Sequence, residues 1–499
     1  MSTRTDIRAF PSMGGGAPLA HQGVHRAKRK IPNAFWFLLA TSPLFLSALF
    51  TSGKPLAFAF MLGIICIGGI AFSFASAHEA LYILAFAIPM DQAFYWYAGA
   101  RYNALSYLTF VMVGVWMVIH GRFRSGTTLT RTEYLVIGWL LWSGLSLVWT
   151  RDFITGSGLL LANTSGLVTL YLFNRGFKNT DHLRRCAWFY LAGALIVAAL
   201  MLPYYHPDTL YIHASGRHGS RVIVSALGGG FGFAPAEVSR TLAYCMIFAL
   251  LLWQYETSRF KRRLSLVLAM AFGVMVPLCL CRTTVVALAV ALLAWGTFIG
   301  GKVRLGTQLK RLAAMLALAA AIVVLAGVIN KPATMNRVDA SSDEYERGDL
   351  RRLTTGRSYL WANSWQFFLE HPVLGLGLGG FGLSYSERNG VAPRAVHNEY
   401  LKALSELGIF GTLFFLGWMG SLGLQSLRMK TPRHVALAWW IIFFIVIGGG
   451  DLYRAKDIWM AMGFIAAFAR FEKEAKWHRT LSIPPPRKQL SGEAPLRPA

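Results

Sequence analysis

Three short segments combine residue types that can hold a phosphate and move a proton. The first is Cys281-Arg282-Thr283-Thr284. Arg282 interrupts a long apolar run, where one helix must end and the next begin. A helix start carries partial positive charge and unbonded N–H groups, so a guanidinium, two hydroxyls and that terminus together make an anion site. The alternative is a topological anchor in a short loop. The second segment is Gly356-Arg357-Ser358-Tyr359-Leu360-Trp361. Arg357 opens an amphipathic stretch, and a guanidinium grips phosphate oxygens in a bidentate fork that lysine cannot copy. The nearby Arg351 and Arg352 read as a solvated face. The third is His397-Asn398-Glu399-Tyr400-Leu401. Imidazole titrates near neutrality and can take a proton from a hydroxyl, although a lone histidine is more often structural. Glu399 and Glu406 share the region, and either can orient His397 or serve as the base itself.

Other ionisable residues are less informative. His206, His213 and His218 lack metal-ligand spacing on a helix. Asp451, Arg454, Lys456 and Asp457 read as interfacial anchors. The five cysteines, Cys66, Cys186, Cys245, Cys279 and Cys281, lie in or beside apolar segments, and Cys279 and Cys281 point to opposite sides of a helix. No metal and no cofactor are expected.

The elements that position these segments follow from composition. Of 499 residues, 55% are hydrophobic and 14% charged, against roughly 25% charged in a soluble domain. With a mean hydropathy of +0.45, an ordinary soluble enzyme is excluded. The formal charge of +26 suggests nucleic acid, but the basic residues sit between apolar runs and form no stripe or patch, so no nucleic-acid partner is expected. Apolar runs of spanning length predict an all-α polytopic membrane protein of about fourteen helices. They fall at 34–50, 56–77, 80–98, 105–120, 133–150, 157–174, 185–203, 238–255, 264–281, 283–299, 312–329, 400–424, 435–450 and 456–470. The run 264–299 is too long for one crossing and is broken at Arg282.

Orientation comes from the basic residues, which favour the cytoplasmic side. With the N-terminus inside, 31 of the 49 lysines and arginines fall in the cytoplasm, whereas the short outer loops hold one or two each, such as Lys54, Arg101, Arg151 and Arg282. Because the alternation persists along the whole chain, both ends are expected in the cytoplasm and the three chemical segments at the outer face. The organisation is then a basic tail (1–33) with no cleavable signal, an N-terminal bundle (34–329), a large periplasmic loop (330–399), C-terminal helices (400–470) and a disordered tail (471–499). Within the large loop, Leu360, Trp361, Trp365, Phe368 and Leu369 recur at helical spacing, which predicts a small helical cap on the membrane domain.

Read together, GRSYLW (356–361), EHPVLGLGLGGF (370–381) and VHNEYLKALSELGIFG (396–411) resemble the O-antigen ligase and polymerase superfamily of bacterial envelope glycosyltransferases. The order is an arginine-led helix, a Pro-x-x-Gly-x-Gly turn, and His-Asn-x-x-Leu running into Glu-x-Gly-x-x-Gly. Arg282 at an earlier helix start fits the same pattern, so the detailed likeness covers 282–411. The resemblance implies a C-type glycosyltransferase-like membrane fold in the inner membrane. It also implies glycan transfer from an undecaprenyl-diphosphate carrier to an acceptor hydroxyl at the periplasmic face, without metal. Carried over, Arg282 and Arg357 hold the carrier's diphosphate, and His397, with Glu399 or Glu406, faces the reacting centre. A repeat-unit polymerase for O-antigen or exopolysaccharide is the first reading, and a ligase that joins finished glycan to lipid A–core is the second. A transporter is the reading from another class. Against it, the charges gather at the outer face and no inverted repeat or paired broken helices are evident.

Overall fold

The computed structural model describes residues 77–98, 129–177, 179–201, 235–279, 281–298, 357–430, 432–450 and 455–481, with isolated positions elsewhere. The expected spans at 34–50, 56–77, 105–120 and 312–329 lie outside the described residues. So do His206, His213, His218, Arg351, Arg352, Asp451 and Arg454.

All regular elements among the described residues are helical. They are α1 (Ala77–Ala98), α2 (Arg131–Leu145), α3 (Phe153–Arg175), α4 (Thr180–Met201), α5 (Pro235–Tyr255), α6 (Arg259–Leu278), α7 (Arg282–Phe298), α8 (Arg357–Glu370), α9 (Gly380–Asn389), α10 (Glu399–Arg428), α11 (Arg433–Val446) and α12 (Lys456–Leu481). By length and composition, Phe153–Arg175, Glu237–Tyr255 and Glu399–Arg428 are able to cross a membrane, and shorter apolar helices run over His78–Pro89, Arg282–Thr297 and Arg433–Val446.

Local chemistry sets several boundaries. Thr130 and Glu133 form a reciprocal capping box that starts α2, satisfying two otherwise unbonded amides. Asp152 caps α3 by accepting from the Thr155 amide. The long apolar run breaks as expected: α6 ends at Leu278, just after Pro277, and α7 begins at Arg282. Helix α12 runs on to Leu481, past the expected boundary at 470, because Glu472, Lys473, Glu474 and Ala475 continue it with good helix formers.

Helix α2 packs on α10, α3 on α12, α1 on α4, α5 on α6 and α7 on α11, and α8 lies on the start of α10. The core is aromatic. Trp139, Trp418 and Trp459 meet in a cluster with ring centroids 5.5–6.4 Å apart, and Trp439, Phe248 and Phe464 form its neighbour. Tracing each helix shows two ends. Helices α2, α6 and α11 finish, and α3, α5, α7, α10 and α12 start, at the end that carries α8 and α9. At the opposite end lie the basic residues assigned to the cytoplasm, among them Arg175, Arg428, Arg433 and Arg470.

Candidate functional site

A break in α10 organises this end of the molecule. Gly408 has φ 62° and ψ −164° inside the helix, a conformation that costs a non-glycine residue heavily. The break strips three successive carbonyls of their helical partners, and the rest of the fold replaces them. Leu376 N donates to Ser405 O (2.9 Å), Gly377 N to Glu406 O (2.8 Å) and Trp142 Nε1 to Leu407 O (2.9 Å). In return Ile409 N donates to Pro372 O at 2.9 Å. The Pro-x-x-Gly-x-Gly segment is therefore a clasp that answers the polar backbone exposed by the kink, as buried backbone groups require. Gly377, at φ +84°, packs so closely on α3's approach that a methyl there would lie 2.6 Å from Thr150 Cα.

Arg357, the first residue of α8, is half-buried and donates from its guanidinium to Gly449 O at 3.1 Å. Gly449 lies in the turn after α11. On its other side is Thr283, close enough that a methyl at Gly449 would sit 2.9 Å from Thr283 Oγ1. Thr283 follows Arg282, the exposed first residue of α7. Two arginine-led helix starts, far apart in sequence, thus converge on the 447–450 turn.

The histidine segment is latched to the same turn. Asn398 caps α10 by accepting from Tyr400 N (3.0 Å) and Leu401 N (3.1 Å). Glu399 N donates to Ile447 O at 3.0 Å, and Tyr400 Oη to Phe444 O at 2.7 Å. His397, directly before the cap, has φ 55°. It is the one non-glycine residue with positive φ among the described residues, and such strain, about 1–3 kcal/mol, concentrates at functional sites. Its side chain is half-exposed.

The two carboxylates differ. Glu399, two residues after His397, is buried and faces Lys402 Nζ at 3.5 Å. Glu406 lies about two turns deeper along α10, at 1.5 Å per residue. There its Oε2 accepts from Gly379 N at 3.0 Å, and its surroundings are the clasp. The structure thus brings Arg282, Arg357, His397 and the Glu399 backbone to one turn, with Glu406 set apart.

Sequence reasoning missed three features. Gly449 is a meeting point that acts through its carbonyl, which no side-chain pattern reveals. Lys402 has a weak signal, an i,i+3 relation to Glu399. Asp457, expected at the interface, is instead completely buried; its Oδ2 faces Arg240 Nε at 3.4 Å and accepts from Thr241 Oγ1 at 3.0 Å. Arg240 of α5 is the reason, since a buried charge persists only when paired. Among the described residues no group of three His, Cys, Asp or Glu side chains is arranged to hold a metal ion, and Cys186, Cys245, Cys279 and Cys281 are free thiols.

Residues 266–416 match the family model described as O-Antigen ligase. That segment contains Arg282, Arg357, His397, Glu399 and Glu406. No curated protein matches the chain.

Proposed function

We propose that this chain, whose residues 266–416 belong to the O-antigen ligase/polymerase superfamily, is a polyprenyl-diphosphate-dependent glycosyltransferase of the bacterial inner membrane. In this reading about fourteen helices span the bilayer, both termini are cytoplasmic, and the turn at 447–450 faces the periplasm. The supporting observation is the convergence of the Arg282-led and Arg357-led helix starts on Gly449, with His397 latched beside them.

The arrangement suits the chemistry. The donor is a glycan on undecaprenyl diphosphate. An acceptor hydroxyl oxygen forms a bond to the anomeric carbon as the bond from that carbon to the phosphate oxygen breaks. The electron pair leaves on the diphosphate, whose growing charge Arg282, Arg357 and the α7 N-terminus stabilise. The hydroxyl proton passes to His397, which Glu399 helps to orient. Glu406 holds the clasp that fixes the bend in α10, so it acts as a positioning residue for His397.

Among family members, the reading is a polymerase that joins repeat units of an O-antigen or exopolysaccharide. A ligase that moves finished glycan to lipid A–core is the second reading, because the matched family model carries the ligase description. Deletion in the native host separates them. A polymerase deletion leaves single repeat units on their acceptor or no long polymer. Full-length glycan stranded on the carrier would reverse the choice in favour of the ligase while leaving the residue roles in place.

A further inference from the structure

Beside the histidine segment is a partly open pocket of about 180 Å³, lined by Asp152, Thr155, Phe381, Arg394, Lys402 and Glu406 among others. We infer that this pocket is a subsite for one pyranose ring of the acceptor glycan, an inference that rests on the glycosyltransferase reading above.

The lining chemistry points to a neutral sugar. Asp152, Glu406, Arg394 and Lys402 all line the pocket, and Lys402 also faces the Glu399 carboxylate at 3.5 Å. A diphosphate would meet repulsion from Asp152, whereas sugar hydroxyls both donate and accept and therefore use donors and acceptors alike. One oxygen of each carboxylate already has a backbone partner, Thr155 N for Asp152 and Gly379 N for Glu406. These bonds hold the carboxylates in fixed positions, as a preformed site requires. Leu159 and Pro393 add apolar wall for the C–H surface of a ring. The volume falls below the roughly 300–1,000 Å³ of sites for drug-sized ligands, which suits a single ring.

Position gives the subsite its purpose. Val396 lines the pocket and precedes His397. Lys402 lines it too and faces the Glu399 carboxylate at 3.5 Å, while the Glu399 amide bonds the turn that carries the arginines. A ring held here lies against Val396 and Lys402, beside the residue read as the base. That is where an acceptor must wait if its hydroxyl is to be aligned with the base.

Two substitutions fill the pocket without disturbing the core. Thr155 is exposed at the first turn of α3. At Gly382, an added Cβ meets Arg394 O at 3.4 Å and Pro393 Cβ at 3.7 Å, ordinary contact distances. The full-length protein in nanodiscs is probed with two ligands. One is undecaprenyl diphosphate, followed by native mass spectrometry; the other is repeat-unit oligosaccharide released by mild acid from the host's own lipid-linked glycan, followed by saturation-transfer NMR. Thr155→Trp, Gly382→Leu and Arg394→Ala are expected to weaken oligosaccharide binding by about tenfold or more, the scale of one or two lost hydrogen bonds, with undecaprenyl diphosphate binding retained. Unchanged oligosaccharide binding in both filled variants would overturn the subsite, as would no binding to the parent protein. Joint loss of both ligands would also overturn it, because the pocket would then belong to the donor. If the parent protein binds oligosaccharide through this pocket but not undecaprenyl diphosphate, the subsite stands and the carrier reading fails.

Discussion

Arg175 and Arg357, at opposite ends of the helix bundle, are held in different ways. At the end away from α8, charged groups tie helices together through carboxylates, side chains or backbone carbonyls. Arg175 lies 2.8 Å from the Glu133 carboxylate, which also accepts from Asn174 at 2.9 Å. Glu256 accepts from Trp188 Nε1 at 2.8 Å, and Arg470 donates to the carbonyls of Asn174 and Phe177. At the end bearing α8, Arg240 and Asp457 also form a buried pair and Lys402 faces Glu399, whereas Arg357 rests on a neutral carbonyl and Arg282 is exposed. A guanidinium placed on a carbonyl keeps its positive charge available to a ligand, whereas one placed on a carboxylate does not. The contrast is between Arg175, neutralised by a carboxylate, and Arg357, placed on a carbonyl beside the exposed Arg282.

This contrast can be tested, starting with the largest effect on turnover. General acid–base groups contribute about 10²–10⁴-fold, so His397→Ala is expected to reduce glycan transfer by that order while undecaprenyl diphosphate still binds. His397→Gln retains part of the activity if the role is hydrogen bonding alone. Normal turnover by the alanine variant, measured as diphosphate carrier released, would shift the base to Glu399.

Next come the two arginines. Arg282→Ala and Arg357→Ala should insert normally yet lose about 10²–10³ in rate, the cost of one preorganised donor. Arg357→Lys should recover little, because an ammonium cannot reproduce the fork. Near-normal glycan assembly in both alanine variants would remove the diphosphate role from this turn.

The smallest effect on turnover per folded molecule is expected at the opposite end. Glu133→Ala leaves Arg175 buried without its carboxylate, which costs about 3–5 kcal/mol of stability. Yield and thermal stability in detergent should fall, while the rate of the surviving folded fraction stays near that of the parent. A variant that is fully stable but inactive would break the distinction between the two ends.

How much of this was legible beforehand depends on the range of each interaction. The helix break at Arg282 and the helix opened by Arg357 were readable, because apolar runs and helix starts are written in neighbouring residues. The role of Gly377 was not, since its amide answers the Glu406 carbonyl made available by the break at Gly408 some thirty residues later. Glu406 read as an equal of Glu399, because both are carboxylates near His397 in the chain. Only packing showed one beside the histidine segment and the other bonded to the clasp.

The sequence by itself determined that this chain is helical and apolar, which residues are candidates for the chemistry, and where the helices that present them begin. Those are properties of side-chain type and short-range periodicity. The tertiary structure alone decided that Arg282, Arg357 and His397 share one turn. The partners there are the carbonyls of Ile447 and Gly449, and every residue has a carbonyl, so the sequence holds no mark of which ones will be used. The same reason hid the pocket beside α10, whose four charged groups come from three separate stretches of chain and become neighbours only when the clasp closes on the kink.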